Sequence, residues 1–68
     1  MNRKEFIETL TKKLRESNIS DIDEIIAEYE EHFNFKLTDG YSEEEIAAGL
    51  GNPEEIAMQY THGNIDNK

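Results

Sequence analysis

Residues 39–60 read DGYSEEEIAAGLGNPEEIAMQY, and this stretch decides the fold. It holds two helix starts and one helix stop. Ser42 is followed by three glutamates and then by Ile46, Ala47 and Leu50. A serine at this place accepts a hydrogen bond from the backbone N–H three residues on, while Glu45 reaches back to the N–H of Ser42. The carboxylates also lie where the helix dipole is positive. Gly51 predicts the stop, because glycine enters a positive-φ conformation without a Cβ penalty. Asn52-Pro53-Glu54-Glu55 predicts the next start, with Asn52 as cap, Pro53 at the first helical position and Glu55 closing the box. Two short helices meeting across Gly51-Asn52 turn sharply. Their apolar residues Ile46, Leu50, Ile56, Ala57 and Tyr60 then need a surface to face.

The upstream sequence supplies that surface. Asn2-Arg3-Lys4-Glu5 is a cap with an acid three residues on, and Phe6, Ile7, Leu10 and Leu14 follow at helical spacing. Ser17-Asn18 ends this helix. Ser20-Asp21-Ile22-Asp23 reads as a third start. Ile22, Ile25, Ile26, Tyr29 and Phe33 then mark one face of a helix of about 16 residues, or about 24 Å. Gly40 supplies its exit turn. No window alternates with period two, so strands are not expected.

The expected fold is all-α, a compact four-helix domain in which an antiparallel helix pair is closed by two short helices. The helices are expected near 3–16, 21–36, 43–49 and 54–60, with a core of Phe6, Leu10, Leu14, Ile22, Ile26, Tyr29, Phe33, Ile46, Leu50, Ile56 and Tyr60. Residues 1–60 make the domain. Residues 61–68 are polar and are expected to form a flexible C-terminal tail.

A chain of 68 residues buries only about 60% of its unfolded surface. It has no cysteine, so neither a disulfide nor a thiolate zinc site staples it. No apolar run has the length of a signal peptide or a membrane span, so the chain as it stands is expected to be soluble. Sixteen acidic residues against seven basic ones give a net charge of −9. That balance argues against direct binding to nucleic acid or to an anionic membrane surface. The basic residues Arg3, Lys4, Lys12, Lys13 and Arg15 lie in the first fifteen positions, and only Lys36 is basic from Glu16 to Asp66. A basic first helix beside an acidic remainder provides internal complementarity or a polar face for a partner.

No residues are assigned as catalytic, cofactor-binding or metal-ligating. Glu28 and His32 have the spacing of two ligands on one helix face, but a metal needs three or four, and an i, i+4 polar pair on a solvated face explains the spacing as well. Asp21-x-Asp23 begins like a calcium loop, yet Ile26 and His32 stand where glycine and glutamate belong. Ser17, Ser20 and Ser42 sit at helix ends, where capping accounts for them. Gly49 and Gly51 follow glutamates that would repel phosphate. The helix after Pro53 carries Glu54, Glu55 and Gln59 and no base-reading cation, so a DNA-reading helix–turn–helix is discounted.

A protein-binding face is the remaining candidate. Phe33 belongs to the apolar face of the second helix, whereas Phe35 lies about 200° from it at 100° per residue. Phe35 is therefore either under the returning short helices or exposed as part of a binding surface. Glu24, Glu28 and Glu31 lie away from the apolar face, with too few cations in the chain to neutralise them. The candidate partner-binding set is Glu24, Glu28, Glu31 and Phe35. Solubility alone explains the carboxylates equally well.

The segments NRKEFIETLTKKL, EIIAEYEEHF and DGYSEEEIAAGLGNPEEIA together resemble the HAAS domain, a helical signalling domain associated with helix-turn-helix regulators. The resemblance covers roughly residues 3–60. It is sharpest at Ser42-Glu43-Glu44-Glu45-Ile46 and at Leu50-Gly51-Asn52-Pro53-Glu54-Glu55-Ile56-Ala57, and Tyr29-Glu30-Glu31-His32-Phe33 matches the family's acidic tyrosine-containing segment. Gly49 departs from the pattern, standing where a better helix former is expected, at a cost of about 1 kcal/mol. The family's domain is typically the cytosolic N-terminal part of small bacterial membrane proteins, often encoded beside PadR-type regulators. No membrane segment follows here, which leaves an excised domain or a free-standing version.

The resemblance implies signal relay to a regulator by protein–protein contact, with no catalytic residues. The expected function is thus a non-catalytic interaction module in transcriptional control, with a protein partner, a PadR-type regulator among the candidates. Its expected place is the cytoplasm, at the cytosolic face of the membrane if a C-terminal segment anchors it. The alternative is an acidic mimic that blocks a basic DNA-binding surface of its partner. A metal-dependent enzyme fragment is a third, weaker reading.

Overall fold

Four helices follow one another: α1 (Arg3–Glu16), α2 (Ile22–Thr38), α3 (Glu43–Leu50) and α4 (Pro53–Asp66). The computed structural model describes the backbone of residues 1–66 and the side chains of residues 1–60. All regular structure among the described residues is helical.

Two starts carry the expected capping boxes. Asn2 Oδ1 accepts from Glu5 N at 2.8 Å while Asn2 N donates to Glu5 Oε1 at 3.3 Å. Ser42 Oγ accepts from Glu45 N at 3.1 Å while Ser42 N donates to Glu45 Oε1 at 3.0 Å. At α4 the Asn52 side chain accepts from Glu54 N at 2.8 Å, one residue earlier than a capping box would have it.

The start of α2 corrects the sequence expectation. Ser20 is not its cap. Asp21 holds the N-cap position and makes no side-chain capping bond. The cause lies in the end of α1. There, Asn18 N donates to Arg15 O and Ile19 N donates to Leu14 O, with Asn18 at φ 59°. This is the paired bonding of a Schellman motif, whose apolar contact here is between Ile19 and Leu14. Ile19 is held in the core, Ser20 and Asp21 form the turn after it, and α2 begins at Ile22. Asp23 and Glu24 in its first turn still complement the dipole.

The same motif closes α2. Gly40 N donates to Leu37 O, Tyr41 N donates to Lys36 O, and Gly40 takes φ +102°. Lys36 Nζ sits 5.1 Å from the Tyr41 ring centroid. Gly51 ends α3 at φ +99°, ψ −170°, a region open essentially to glycine alone.

Helix α1 is the centre of the packing and touches each of the other three. Phe6, Leu10 and Leu14 are fully buried along it. Arg3 Nη1 donates to Asn34 Oδ1 at 2.9 Å, and the Phe6 ring meets Phe33 edge-on at 5.4 Å and Tyr29 at 6.0 Å. At the other end Arg15 and Ile22 edge one groove. Helices α1 and α2 are therefore antiparallel, as expected.

The core comprises Phe6, Leu10, Leu14, Ile19, Ile25, Phe33, Ile46, Ala47, Ile56 and Ala57. Ile22, Ile26, Tyr29, Leu50 and Tyr60, expected in it, are half-buried at its edge. Helix α4 is longer than expected and continues past Tyr60 to Asp66. Nothing from Thr61 to Asp66 breaks a helix outright, and Gly63 costs only about 1 kcal/mol against alanine. Residues 67 and 68 and the side chains after Tyr60 lie outside the described residues, and so does the expectation of a flexible tail.

Candidate functional site

Positions 24, 28, 31 and 35 follow one another at spacings of four, three and four along α2. At 100° per residue they fall within an arc of about 60°. Packing decides which way that arc points. Phe33 is buried on the opposite flank against Phe6 of α1, and Ile25 is buried between that flank and the arc, while Glu24, Glu28, Glu31 and Phe35 all face solvent. Phe35 is 67% exposed, whereas Phe33, two residues earlier, is fully buried. The short helices do not cover Phe35, which resolves the alternative that the sequence left open.

Glu28, Glu31 and Phe35 edge a shallow open groove of about 580 Å³ together with His32, Asn34 and Thr38. Glu24 lies outside it. With Glu28 it edges a neighbouring groove of about 260 Å³ that also touches Ile19, Ile25 and Tyr60. Glu28 thus joins the two grooves, and the four residues line one continuous side of α2.

Sequence reasoning does not group His32, Asn34, Thr38 or Tyr60 with this side. The spacing of His32 raises it only as a ligand beside Glu28. Asn34 and Thr38 carry no pattern of their own. In the fold Asn34 anchors Arg3, and its carbonyl accepts from Thr38 Oγ1 at 3.0 Å. Tyr60 arrives from another helix. Its side chain lies close enough to the Tyr29 hydroxyl to influence its ionisation. Burial, followed by the neighbouring Tyr60 and Glu28, raises the Tyr29 pKa above the ordinary tyrosine value.

The chemistry of this side is that of exposed carboxylates around one exposed ring. Among the described residues no three His, Asp or Glu groups gather to hold a metal ion. The one ion pair among them is Lys13–Glu16 at 3.8 Å on α1, so Glu24, Glu28 and Glu31 have no cationic partner within ion-pair distance among the described residues. An exposed ring flanked by unneutralised carboxylates suits a partner that offers an apolar pocket with Lys or Arg around it.

Among the described residues no helix is long and apolar enough to cross a membrane. No curated protein and no solved structure matches the chain. The model of the protein family HAAS matches residues 5–59, a span that begins in the first turn of α1 and takes in the starts of α2, α3 and α4. The chain belongs to the HAAS family, a non-catalytic, signalling-type helical domain.

Proposed function

We propose that this domain is a protein–protein interaction module that relays a signal to a transcriptional regulator through the outer side of α2. One observation carries the reading: Phe35 is 67% exposed on a helix whose other aromatic residues pack inward, and it is edged by Glu28 and Glu31. Leaving a phenyl ring in water forgoes about 1.5–3 kcal/mol of burial, and docking a partner would recover it. The carboxylates would steer a basic partner and set its register. A regulator of the PadR type is the partner we propose, on the strength of the family's usual context. The contact would take place in the cytoplasm, at the cytosolic face of the membrane if the chain is anchored.

The acidic excess of sixteen over seven favours a second reading, in which the domain blocks a basic DNA-binding surface. Calorimetric titration of a purified PadR-type regulator separates the two. An aromatic-anchored contact persists as salt rises and coexists with operator DNA. A charge mimic weakens steeply with salt and competes with DNA. A regulator that does not bind at all overturns the relay to this class.

A further inference from the structure

We infer that the α1–α2 face on the other flank of α2 is a self-association surface, on which a second copy of this chain docks with its α1 over the first copy's α2. Two grooves run along the α1–α2 junction, one of about 380 Å³ and one of about 370 Å³. Among the described residues no α4 side chain lines either, and α3 contributes only Glu43 to the first. Their floor is apolar: Ile7, Ile22 and Ile26 are only half-buried there, which leaves apolar surface that the monomer does not cover.

The rims of this face are opposite in charge. The α1 rim carries Arg3, Lys4, Lys12 and Arg15 against the carboxylates Glu8 and Glu16, and Glu16 is paired with Lys13. The α2 rim carries Asp23 and Glu30 and no cation. Lys4, Lys12, Arg15, Asp23 and Glu30 are all exposed, and none is ion-paired among the described residues.

Symmetry turns this into a definite arrangement. Because α1 and α2 are antiparallel, Lys4 lies level with Glu30 and Arg15 level with Asp23. A twofold axis parallel to the helices carries α1 of one copy over α2 of the other and keeps every residue at its own level. Lys4 then faces Glu30 of the second copy and Arg15 faces its Asp23, each pair occurring twice. An axis perpendicular to the helices would instead stack α1 on α1 and oppose like charges. The face is about 20 Å by 20 Å, from the length of α1 and the usual spacing of packed helices. That buries about 800 Å² over the two copies, below the range of stable specific interfaces and in that of weak, transient ones, so the dimer is weak and depends on concentration. The face lies about 120° around α2 from Phe35, so the inference stands apart from the signalling reading.

Sedimentation equilibrium of the 68-residue chain from about 10 μM to about 1 mM, the range of a weak dimer, tests this. The variants are Arg15→Glu and Asp23→Arg, both at exposed positions, with circular dichroism verifying the fold. Each reversal places two repulsive pairs across the twofold axis and should weaken dimerisation by about tenfold or more. Mixed in equal amounts, the two variants should form a heterodimer near wild-type strength. The glutamate introduced in one copy would then meet the arginine introduced in the other, while the unchanged Arg15 and Asp23 meet at the symmetry-related place. A wild-type chain that stays monomeric over the whole range overturns the inference. So does a dimer that the single reversals leave intact, or one that mixing the two variants fails to restore.

Discussion

The backbone N–H of Arg3 donates to Glu43 Oε1 at 3.0 Å across forty residues of sequence. A carboxylate in the first turn of α3 thereby caps the first turn of α1, and one negative charge serves two helix N-termini. The bond is partly buried, so water replaces it poorly. Glu43→Ala should destabilise the domain by about 1 kcal/mol, lowering Tm by roughly 4–8 °C for a chain of this size. Glu44→Ala, at an exposed neighbouring position, should cost less than half as much. Thermal melts of the two variants check this, and equal losses would reduce Glu43 to a dipole effect.

Two glycines two residues apart should respond in opposite directions to the same substitution. Gly49 lies inside α3, and a Cβ there meets nothing within 4 Å. Gly49→Ala should stabilise by about 0.5–1 kcal/mol through helix propensity and reduced freedom of the unfolded chain. Gly51 also has open space for a Cβ, but its φ of +99° and ψ of −170° are hostile to any L side chain. Gly51→Ala should cost about 1–3 kcal/mol, and Gly51→Val more. Chemical denaturation of both alanine variants decides the matter. A neutral Gly51→Ala would place the turn elsewhere.

Ile19 should behave as a core residue although it lies between helices. It is buried because the Schellman motif at Asn18 turns it back onto Leu14. Ile19→Ala should cost about 2–4 kcal/mol, comparable to Leu14→Ala and several times the cost of Ile7→Ala at a half-buried site. Denaturant titration measures all three. A small loss at Ile19 would mean that the motif holds without its apolar contact.

The contrast between Ile19 and Ser42 marks what the sequence makes legible. Capping at Asn2 and Ser42 is chemistry within four residues, so it is readable before any fold is known, and so is the stop at Gly51. The Ser20 start fails because the bonding of the preceding helix end takes priority over a local cap. Ile25, named on the apolar face of α2, displaces Ile22 and Ile26 from the innermost core, since which side of a broad apolar arc is deepest depends on where α1 and α4 press. The Glu24–Phe35 stripe is visible as a spacing. Its exposure is not, because only the paths of α3 and α4 decide whether Phe35 is covered. The Tyr29–Tyr60 contact joins two helices thirty-one residues apart and carries no local signal.

That tyrosine pair gives a pH dependence with a definite sign. Burial and the Tyr60 hydroxyl raise the folded-state pKa of Tyr29 above the unfolded value of about 10. The folded state therefore keeps the proton to higher pH than the unfolded chain does. The stabilisation is fully present below pH about 10 and is lost as pH rises from there through the folded pKa. Tyr29→Phe should change stability by less than about 1 kcal/mol at neutral pH and should flatten the alkaline fall in stability. Urea titrations between neutral and strongly alkaline pH read the small neutral change and the flattened limb together. An alkaline limb unchanged by Tyr29→Phe would assign that fall to other groups.

The acidic stripe allows its two components to be separated by kinetics. Glu24, Glu28 and Glu31 are exposed and outside ion-pair distance of any described cation, and exposed carboxylates contribute little to folding. Reversing all three to lysine should leave the helical circular dichroism intact. If the stripe meets a basic regulator surface, the triple variant should bind more slowly, by about tenfold or more at low salt, because complementary charge acts at long range on the association rate. That defect should shrink as ionic strength rises and the Debye length falls below about 10 Å. Phe35→Ala should act on the other side of the equilibrium. A ring seated in a partner pocket is broken only as the complex comes apart, so its removal should speed dissociation by about tenfold or more and leave association nearly unchanged. Surface-based kinetics with an immobilised regulator resolves the two rates. Unchanged kinetics in both variants, with the fold preserved, would remove α2 from the interface and leave the short-helix surface after Ser42 as the place to look.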